Sequence, residues 1–417
     1  MNVKAEGIKQ IKRSLEIISP KNLVYNHLKS YPIQNKVKCL AIGKAAYEMS
    51  IGAMLALNEQ MDDCLIITKY GHTTSDIDTR VKIIEAAHPI VDENSLKAGK
   101  QAIDFLNNVN DDQEVLFLLS GGGSSLCECL KDGVTYKDYK QLNDCLMKVG
   151  APIQEINAIR RVFSNIKGGE LLYNSGIKRY QTLVISDIPN GNIQDIASGP
   201  TSNSYVKKEW IYNIINRYQI TMNDAMKKMI DVYQPITNLK ENIHLLSDNA
   251  MFCNILKEQI IKDEVDCEIV GCGLEGDINF FKNLVVDKIE YQFTKPCNKH
   301  KVFLIGNEMT IKINGNGKGG RCQQFALEMA AYLQRKTNVS IFAFGSDGSD
   351  GPTDATGAYV DSNTFDNIMK LGLDIQTYIA NNDAYTILDK VDALLFSGPT
   401  GTNVNDVIMI YIQAKNE

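Results

Sequence analysis

EVLFLLSGGGSS, residues 114 to 125, is the stretch on which the fold turns. The five large apolar residues after Glu114 form a run too short for a buried helix and long enough for a strand buried on both faces. Three consecutive glycines end it. They destabilise any regular element, so they are tolerated where something must lie against the backbone. Ser120, Ser124 and Ser125 flank Gly121, Gly122 and Gly123 with hydroxyls that suit phosphate oxygens.

Outward from this stretch the same strand-then-helix rhythm recurs. Apolar runs occur at 36–42 (KVKCLAI), 63–68 (DCLIIT), 81–87 (VKIIEAA) and 181–186 (QTLVIS). Others follow at 242–247 (NIHLLS), 267–271 (CEIVG), 302–306 (VFLIG), 309–314 (MTIKIN), 340–346 (SIFAFGS), 393–397 (ALLFS) and 406–412 (DVIMIYI). Helical periodicity is clearest at 44–57, 92–108, 249–263 and 321–334. The alternation predicts βαβ units and largely parallel sheets. A chain of 417 residues exceeds one ordinary core, so two α/β domains are expected. The polar passage DVYQPITNLKENI places the boundary near 236, giving domains 1–236 and 237–417.

Hydrophobic residues at 44% and charged residues at 23% are ordinary globular values, and the net charge is −6. With no Lys/Arg-rich block, this balance argues against a nucleic-acid partner. The first residues read as an amphipathic helix, and no stretch of about 18 apolar residues occurs, so a soluble, cytoplasmic protein with no membrane partner is expected. The ten cysteines form no C-x-x-C pair and sit largely in or beside apolar runs, as buried free thiols do. The five histidines are scattered, which speaks against a structural metal. Monomer and homodimer both stay open.

Several further loops leave strand ends carrying chemistry. Lys44 stands where the strand 36–42 gives way to a helix, and a mobile cation at a helix start suits an anion. Lys167 precedes Gly168 and Gly169. Asp187 ends the strand 181–186, ahead of Ser198-Gly199-Pro200-Thr201, and is a plausible magnesium ligand or else a turn residue. Gly319 and Gly320 lead into Arg321, and Arg grips a carboxylate or phosphate bidentately. GSDGSDGPTDATGAYVD, residues 345 to 361, spaces Asp347, Asp350 and Asp354 between glycines, as hard oxygen ligands, proton acceptors or turns. Ser397 to Asn403, with Thr400 at its centre, repeats the style of the 198–201 turn.

G-x-G-x-x-G occurs twice, at 271–276 and 315–320. Neither has the single acidic residue at the next strand end that a dinucleotide site needs. Walker A, protein-kinase, nucleophile-elbow and zincin motifs are absent.

Taken in order, AIGKAA, HPIVDENS, LLSGGGSSL, INAIRRVFSNIKGG, ISDIPNGN with IASGPT, GKGGR, GSDGSDGPTDATGA, NNDAY and SGPTGTNVND resemble the type-2 glycerate 2-kinase family, whose C-terminal part is the MOFRL domain. The resemblance runs from about residue 3 to 413. It implies an N-terminal Rossmann-like doubly wound sheet, a C-terminal α/β domain of MOFRL type, and an active site in the cleft between them. It also implies ATP-dependent phosphorylation of D-glycerate on its 2-hydroxyl, with ATP and Mg2+.

Lys44 and Arg321 match that family's central basic residues. Ser120 to Ser125, Lys167, Gly319, Gly320 and Thr400 match its cleft-lining motifs. Asp187 and Asp347 are the candidates for metal contact or for orienting the hydroxyl. The chain departs from the family pattern at Asn307, where a Gly is usual, and at Cys322 and Gln324, where Asn and Glu are usual. Those changes remove an amide and a charge near Arg321. The Cys322 and Gln324 changes keep open a catalytically weakened metabolite-binding relative, and a nicotinamide-dependent hydroxypyruvate reductase would require one of the two G-x-G-x-x-G matches to be real.

Overall fold

A computed structural model of the chain describes residues 2–73, 78–188, 192–295 and 298–414. It divides into two compact units, one comprising Leu23–Ile185 and Asn192–Leu246, the other Met1–Asn22, Ser186–Gly191 and Ser247–Glu417. The chain's last passage from one unit to the other therefore falls after 246, not near 236, and Met1–Asn22 and Ser186–Gly191, expected in the N-terminal domain, group with the C-terminal part. The polar passage that suggested a boundary is the approach to a strand of the first sheet.

That first sheet has six strands: β1 Lys36–Ile42, β2 Met61–Lys69, β3 Val81–Ala86, β4 Gln113–Leu119, β5 Tyr180–Ile185 and β6 Ile243–Ser247. Their order is β3-β2-β1-β4-β5-β6. The pairings β3·β2, β2·β1, β1·β4 and β4·β5 are all parallel. β6 follows suit, because Thr182 N–H bonds to the Asn242 carbonyl and Ser186 N–H to that of Ser247, so the two strands advance together. This is the doubly wound order, in which the strand sequence reverses direction between β1 and β4. β1 and β4 end in apolar runs, Cys39–Ile42 and Val115–Leu119, because both their faces are covered there. The helices Tyr136–Lys148, Ile153–Val162, Lys208–Arg217 and Asp224–Val232 build a further core around Tyr139, Ile159, Phe163 and Ile211.

The second unit also holds a six-stranded sheet: β7 Asp266–Asp277, β8 Lys301–Thr310, β9 Val339–Gly345, β10 Gly357–Asp361, β11 Leu394–Leu395 and β12 Asp406–Ile412, in the order β11-β10-β9-β12-β8-β7. Here the largely parallel expectation fails. Only β7·β8 is parallel, and the other four pairings are antiparallel. β9 and β12 are nonetheless buried on both faces, so they show the same continuous apolar run as a parallel strand. β12, the last strand, fills the slot between β8 and β9 with opposite polarity.

Residues 309–314 do not form a strand of their own. Met309 and Thr310 finish β8, and the chain then leaves the sheet.

The N-terminal helix Val3–Ile17 belongs to this second unit. A methyl on its Gly7 would reach 2.3 Å from the Phe342 ring of β9, so only glycine lets the helix lie on that sheet face. The opposite face is covered by the helices Ile278–Phe293 and Arg321–Leu333, which pack Phe281, Val285, Phe325 and Met329 onto Phe303, Ile305, Ile341 and Ile408. Among the described residues no helix is long and apolar enough to cross a membrane.

Candidate active site

In the first unit, the point where the strand order reverses lies between the C-terminal ends of β1 and β4. Ligands of open α/β sheets bind at such points. The loops leaving those two ends are Gly43-Lys44 and Ser120–Ser125, and they are bonded to each other. Lys44 N–H donates to the Gly121 carbonyl at 2.9 Å, and Ala45 N–H donates to Ser120 Oγ at 3.1 Å. Gly43 has φ +134°, and a methyl there would lie 2.2 Å from Ser120 Oγ, so glycine is what lets the two turns touch.

Within the glycine loop the serines divide by role. Ser120 is buried as the link just described, and Ser125 is buried with its hydroxyl on the Gly122 carbonyl. Gly122 and Ser124 are the half-open positions. Ser124 Oγ lies 2.7 Å from Ser198 Oγ. Ala197, Ser198 and Gly199 are three consecutive left-handed residues, with φ of 53°, 62° and 70°. A methyl on Gly123 would come within 2.5 Å of the Ala197 side chain. Strain of this kind in non-glycine residues persists only where the surroundings hold it, commonly at functional sites.

Lys167 is placed otherwise than its sequence neighbourhood suggested. Its side chain is fully buried and its ammonium pairs with Glu128, which is equally buried. Glu128 also accepts from Ser164 and Tyr139 hydroxyls. Burial pushes the Lys167 ammonium down, against the pull of Glu128. Lys167 thus fixes a loop, and Gly168 and Gly169 donate to the Ser198 and Gly199 carbonyls at 3.0 and 2.7 Å.

In the second unit, Arg321 is the first residue of its helix, and both its Nε and Nη2 bond to the Asp406 carboxylate, the latter at 3.0 Å. Asp406 opens β12 and pairs across the sheet with Asn307 on one side and Gly345 on the other. Burial pushes the Asp406 carboxyl up, and the guanidinium pulls it down. The Arg321 guanidinium, losing solvation but bonded to Asp406, is raised above its ordinary value.

The neighbouring carboxyl is Glu308. Burial raises it above the usual carboxylate range, Arg321 lowers it, and Asp406, Asp187 and Glu275 raise it further. Asn405, left-handed at φ 64°, ties this group together by donating from Nδ2 to Glu308 Oε2 and to the Asp187 carbonyl, both at 2.9 Å.

The acidic loop 345–361 splits into distinct jobs. Asp350 is buried and caps the Arg321 helix, accepting from Cys322 N–H at 3.1 Å and Gln323 N–H at 2.8 Å. Burial pushes its carboxyl up to about 7. Asp354 accepts the Tyr385 hydroxyl at 2.8 Å and is exposed. Asp347 is half-buried, and its charge acts on Asp406. Thr400 positions it, with Thr400 Oγ1 on the Ser346 carbonyl at 2.6 Å and its N–H on the Asp347 carbonyl at 3.3 Å.

Gly319 and Gly320 serve packing. A methyl on Gly320 would strike the Asp350 carboxylate at 2.2 Å, and Gly319 lies against Ala384. The N–H groups of residues 314 to 318 are largely taken by Asn381, Asn382 and Asp383. The loop 315–320 therefore offers few free donors to a pyrophosphate, and 271–276 lies inside β7. Neither G-x-G-x-x-G match is a dinucleotide turn.

With this geometry in hand, similarity to known proteins is decisive. Residues 8–231 match a family described as a domain of unknown function (DUF4147), and residues 301–406 match the MOFRL family. The D-glycerate 2-kinase of Thermotoga maritima is 34% identical over 98% of both chains. The glycerate 2-kinase of Pyrococcus horikoshii is 32% identical over 100% of this chain and 98% of its own. A crystal structure of glycerate kinase from Thermotoga maritima superposes with a TM-score of 0.91 at 33% identity, covering 98% of this chain and 99% of that one.

The chain belongs to the glycerate 2-kinase family.

Of its departures from the family pattern, Gln324 sits away from Arg321's carboxylates, its Nε2 on Glu328 Oε1 and the Ile379 carbonyl. Cys322 is buried beside Asp406, where burial pushes its thiol up. Glu308, Asn405 and Asp406 were not singled out in the sequence, because the first stands near the end of an apolar strand and the other two at the start of one, where polar residues read as strand edges. The one available signal was that a buried strand rarely carries a charge without a partner.

Among the described residues no three His, Cys, Asp or Glu side chains converge as a ready-made metal nest. Around Arg321 the donors that could face a cation are oxygen: Asp187, Asp347 and the unpartnered, buried Asn405 Oδ1. That set fits Mg2+, which takes one or two carboxylates and fills its shell with phosphate oxygens and water.

Proposed function

We propose that this glycerate 2-kinase family member transfers the γ-phosphoryl group of ATP to the 2-hydroxyl of D-glycerate, giving 2-phosphoglycerate and ADP. The observation that carries the reading is Arg321, held bidentately by Asp406 beside a carboxyl, Glu308, that burial keeps above its ordinary range.

Arg321 binds the glycerate carboxylate. The Asp406 pair fixes the plane of the guanidinium, so little order remains to be imposed when substrate arrives. Glu308, once ionised, accepts the proton of the 2-hydroxyl as that oxygen attacks phosphorus. Lys44 neutralises phosphate charge at the β1 and β4 strand ends, with Gly122 leaving the backbone open to approach. Phosphoryl transfer asks for positioning and charge stabilisation more than covalent help. Asp187 and Asp347 would hold Mg2+, which when bound neutralises phosphate charge.

The test incubates the protein with ATP, Mg2+ and D-glycerate and couples the product to enolase with no mutase present. A signal identifies 2-phosphoglycerate. A signal that requires added mutase would place the phosphate on the 3-hydroxyl, and binding without turnover would mark a weakened relative.

A further inference from the structure

The block beginning at His88 has no role in the reading above. His88 follows β3, and its imidazole lies against the glycine turn. A methyl on Gly122 would meet His88 Cδ2 at 2.9 Å, His88 Nε2 at 3.2 Å and Lys44 Cε at 3.2 Å. Two side chains from separate strand ends thus close on one left-handed glycine, at φ +84°. His72, past the end of β2, brings Nδ1 to 3.4 Å from the Lys44 carbonyl. Lys69 ends β2, and its charge bears on His88 together with those of Lys44 and His72.

Four groups that carry or accept positive charge therefore gather at the C-terminal ends of β1, β2 and β3, beside the turn after β4. Among the described residues, the acids Glu85 and Asp92 are engaged elsewhere. Glu85 accepts from Gly71 N–H and Thr73 Oγ1, both at 3.0 Å, and Asp92 accepts from the Tyr70 hydroxyl and caps the helix Glu93–Asn107. Among the described residues neither Lys44 nor Lys69 pairs with a carboxylate, and the half-buried His88 ring has no hydrogen-bond partner. Burial first, and then the Lys44 and Lys69 ammonium groups, hold His88 down at about 4, so the ring stays neutral and keeps one N–H donor at neutral pH.

We propose that Lys44, Lys69, His72 and His88 form one polyphosphate cradle over Gly121–Gly123, in which His88 donates a hydrogen bond to a phosphate oxygen and Lys69 supplies a second fixed positive charge. A lone carboxylate would need one cation. A chain of phosphates carries several charges over several ångströms and matches groups spread across three strand ends. The identity of the natural ligand as ATP rests on the kinase reading, but the cradle itself does not require glycerate turnover.

The test is equilibrium binding of inorganic tripolyphosphate, and separately of ATP, to the full chain by calorimetry. The variants are His88→Ala, Lys69→Met and His88→Gln, with the remote surface change Lys178→Met as control. The wild type and Lys178→Met should bind alike. His88→Ala and Lys69→Met should each weaken tripolyphosphate by about tenfold or more, the scale of one charge-assisted hydrogen bond. His88→Gln, which keeps an N–H donor, should recover part of the loss. A purely structural role for His88 would instead lower the melting temperature and leave the affinity of the folded protein intact. Wild-type affinity in both His88→Ala and Lys69→Met, or no tripolyphosphate binding by the wild type, overturns the cradle. The enolase-coupled assay reads the kinase proposal independently, since loss of binding in these variants stands whether or not glycerate is phosphorylated.

Discussion

Asp406 grips Arg321 with both carboxylate oxygens, and it does so from the first residue of the central strand β12. The relationship joins a helix start to a strand start through two parallel bonds, which sets the direction of the guanidinium as well as its charge. Asp406→Asn keeps the size of the side chain but leaves only one acceptor oxygen. The guanidinium is then free to tilt, and misplacement on the ångström scale costs about 10²-fold. The expected result is a fall of that order in kcat/KM for D-glycerate. Arg321→Lys, which lacks the fork, should fall at least as far despite keeping the charge. Steady-state kinetics of the two variants check this.

Asp350 caps the Arg321 helix with a carboxyl that burial pushes up to about 7. Its folded value lies above its unfolded one, so the folded state binds the extra proton between roughly pH 4 and 7. Stability from this group is therefore full at the acid end of that window and is lost as pH rises through about 7. Asp350→Asn removes the titration while one side-chain oxygen still caps the helix. The melting temperature of the wild type minus that of the variant should decline from pH 4 to pH 7. A flat difference across that range would show the carboxyl to be ionised throughout.

The first sheet was legible in the sequence because each parallel strand there, such as 114–119, stands between turn signals and helical periodicity. The second was read with the wrong polarity. β9 and β12 are central, so nothing in their apolar runs separates antiparallel from parallel. β10 was missed because its five residues follow directly on an Asp-Gly loop. Lys44 and the Ser120–Ser125 loop were each legible as turns at strand ends suited to an anion, and the strand order then makes them neighbours. The true partners of Lys167 and of the loop 314–318 were not legible. Glu128 is 39 residues from Lys167, and Asn381 to Asp383 are more than sixty residues from the backbone they cap.

Lys167 and Glu128 are both fully buried, so removing one partner strands a charge in the core of the first unit. Lys167→Met should destabilise the protein by about 3–5 kcal/mol. The double change Lys167→Met with Glu128→Gln should recover much of that loss, because the stranded carboxylate is the main cost. Thermal melts of the single and double variants test the coupling. A ligand-binding role for Lys167 would show the opposite signature: an unchanged melting temperature and a raised KM for ATP.

Glu308 offers the sharpest test of the chemistry. A carboxyl accepts the substrate proton only when ionised, and burial together with Asp406, Asp187 and Glu275 raises its pKa against the pull of Arg321. The acid limb of the kcat profile should therefore lie above the ordinary carboxylate range, with activity rising as Glu308 loses its proton. Glu308→Gln keeps an oxygen for the Asn405 amide but cannot accept a proton. It should lower kcat by about 10²–10⁴-fold and flatten that limb. The same change should stabilise the fold at neutral pH, because a carboxyl whose pKa is raised on folding costs stability once it is ionised. Loss of rate together with a gain in melting temperature separates a proton acceptor held at a cost from a residue that merely supports Asn405. A drop in both would assign Glu308 to structure.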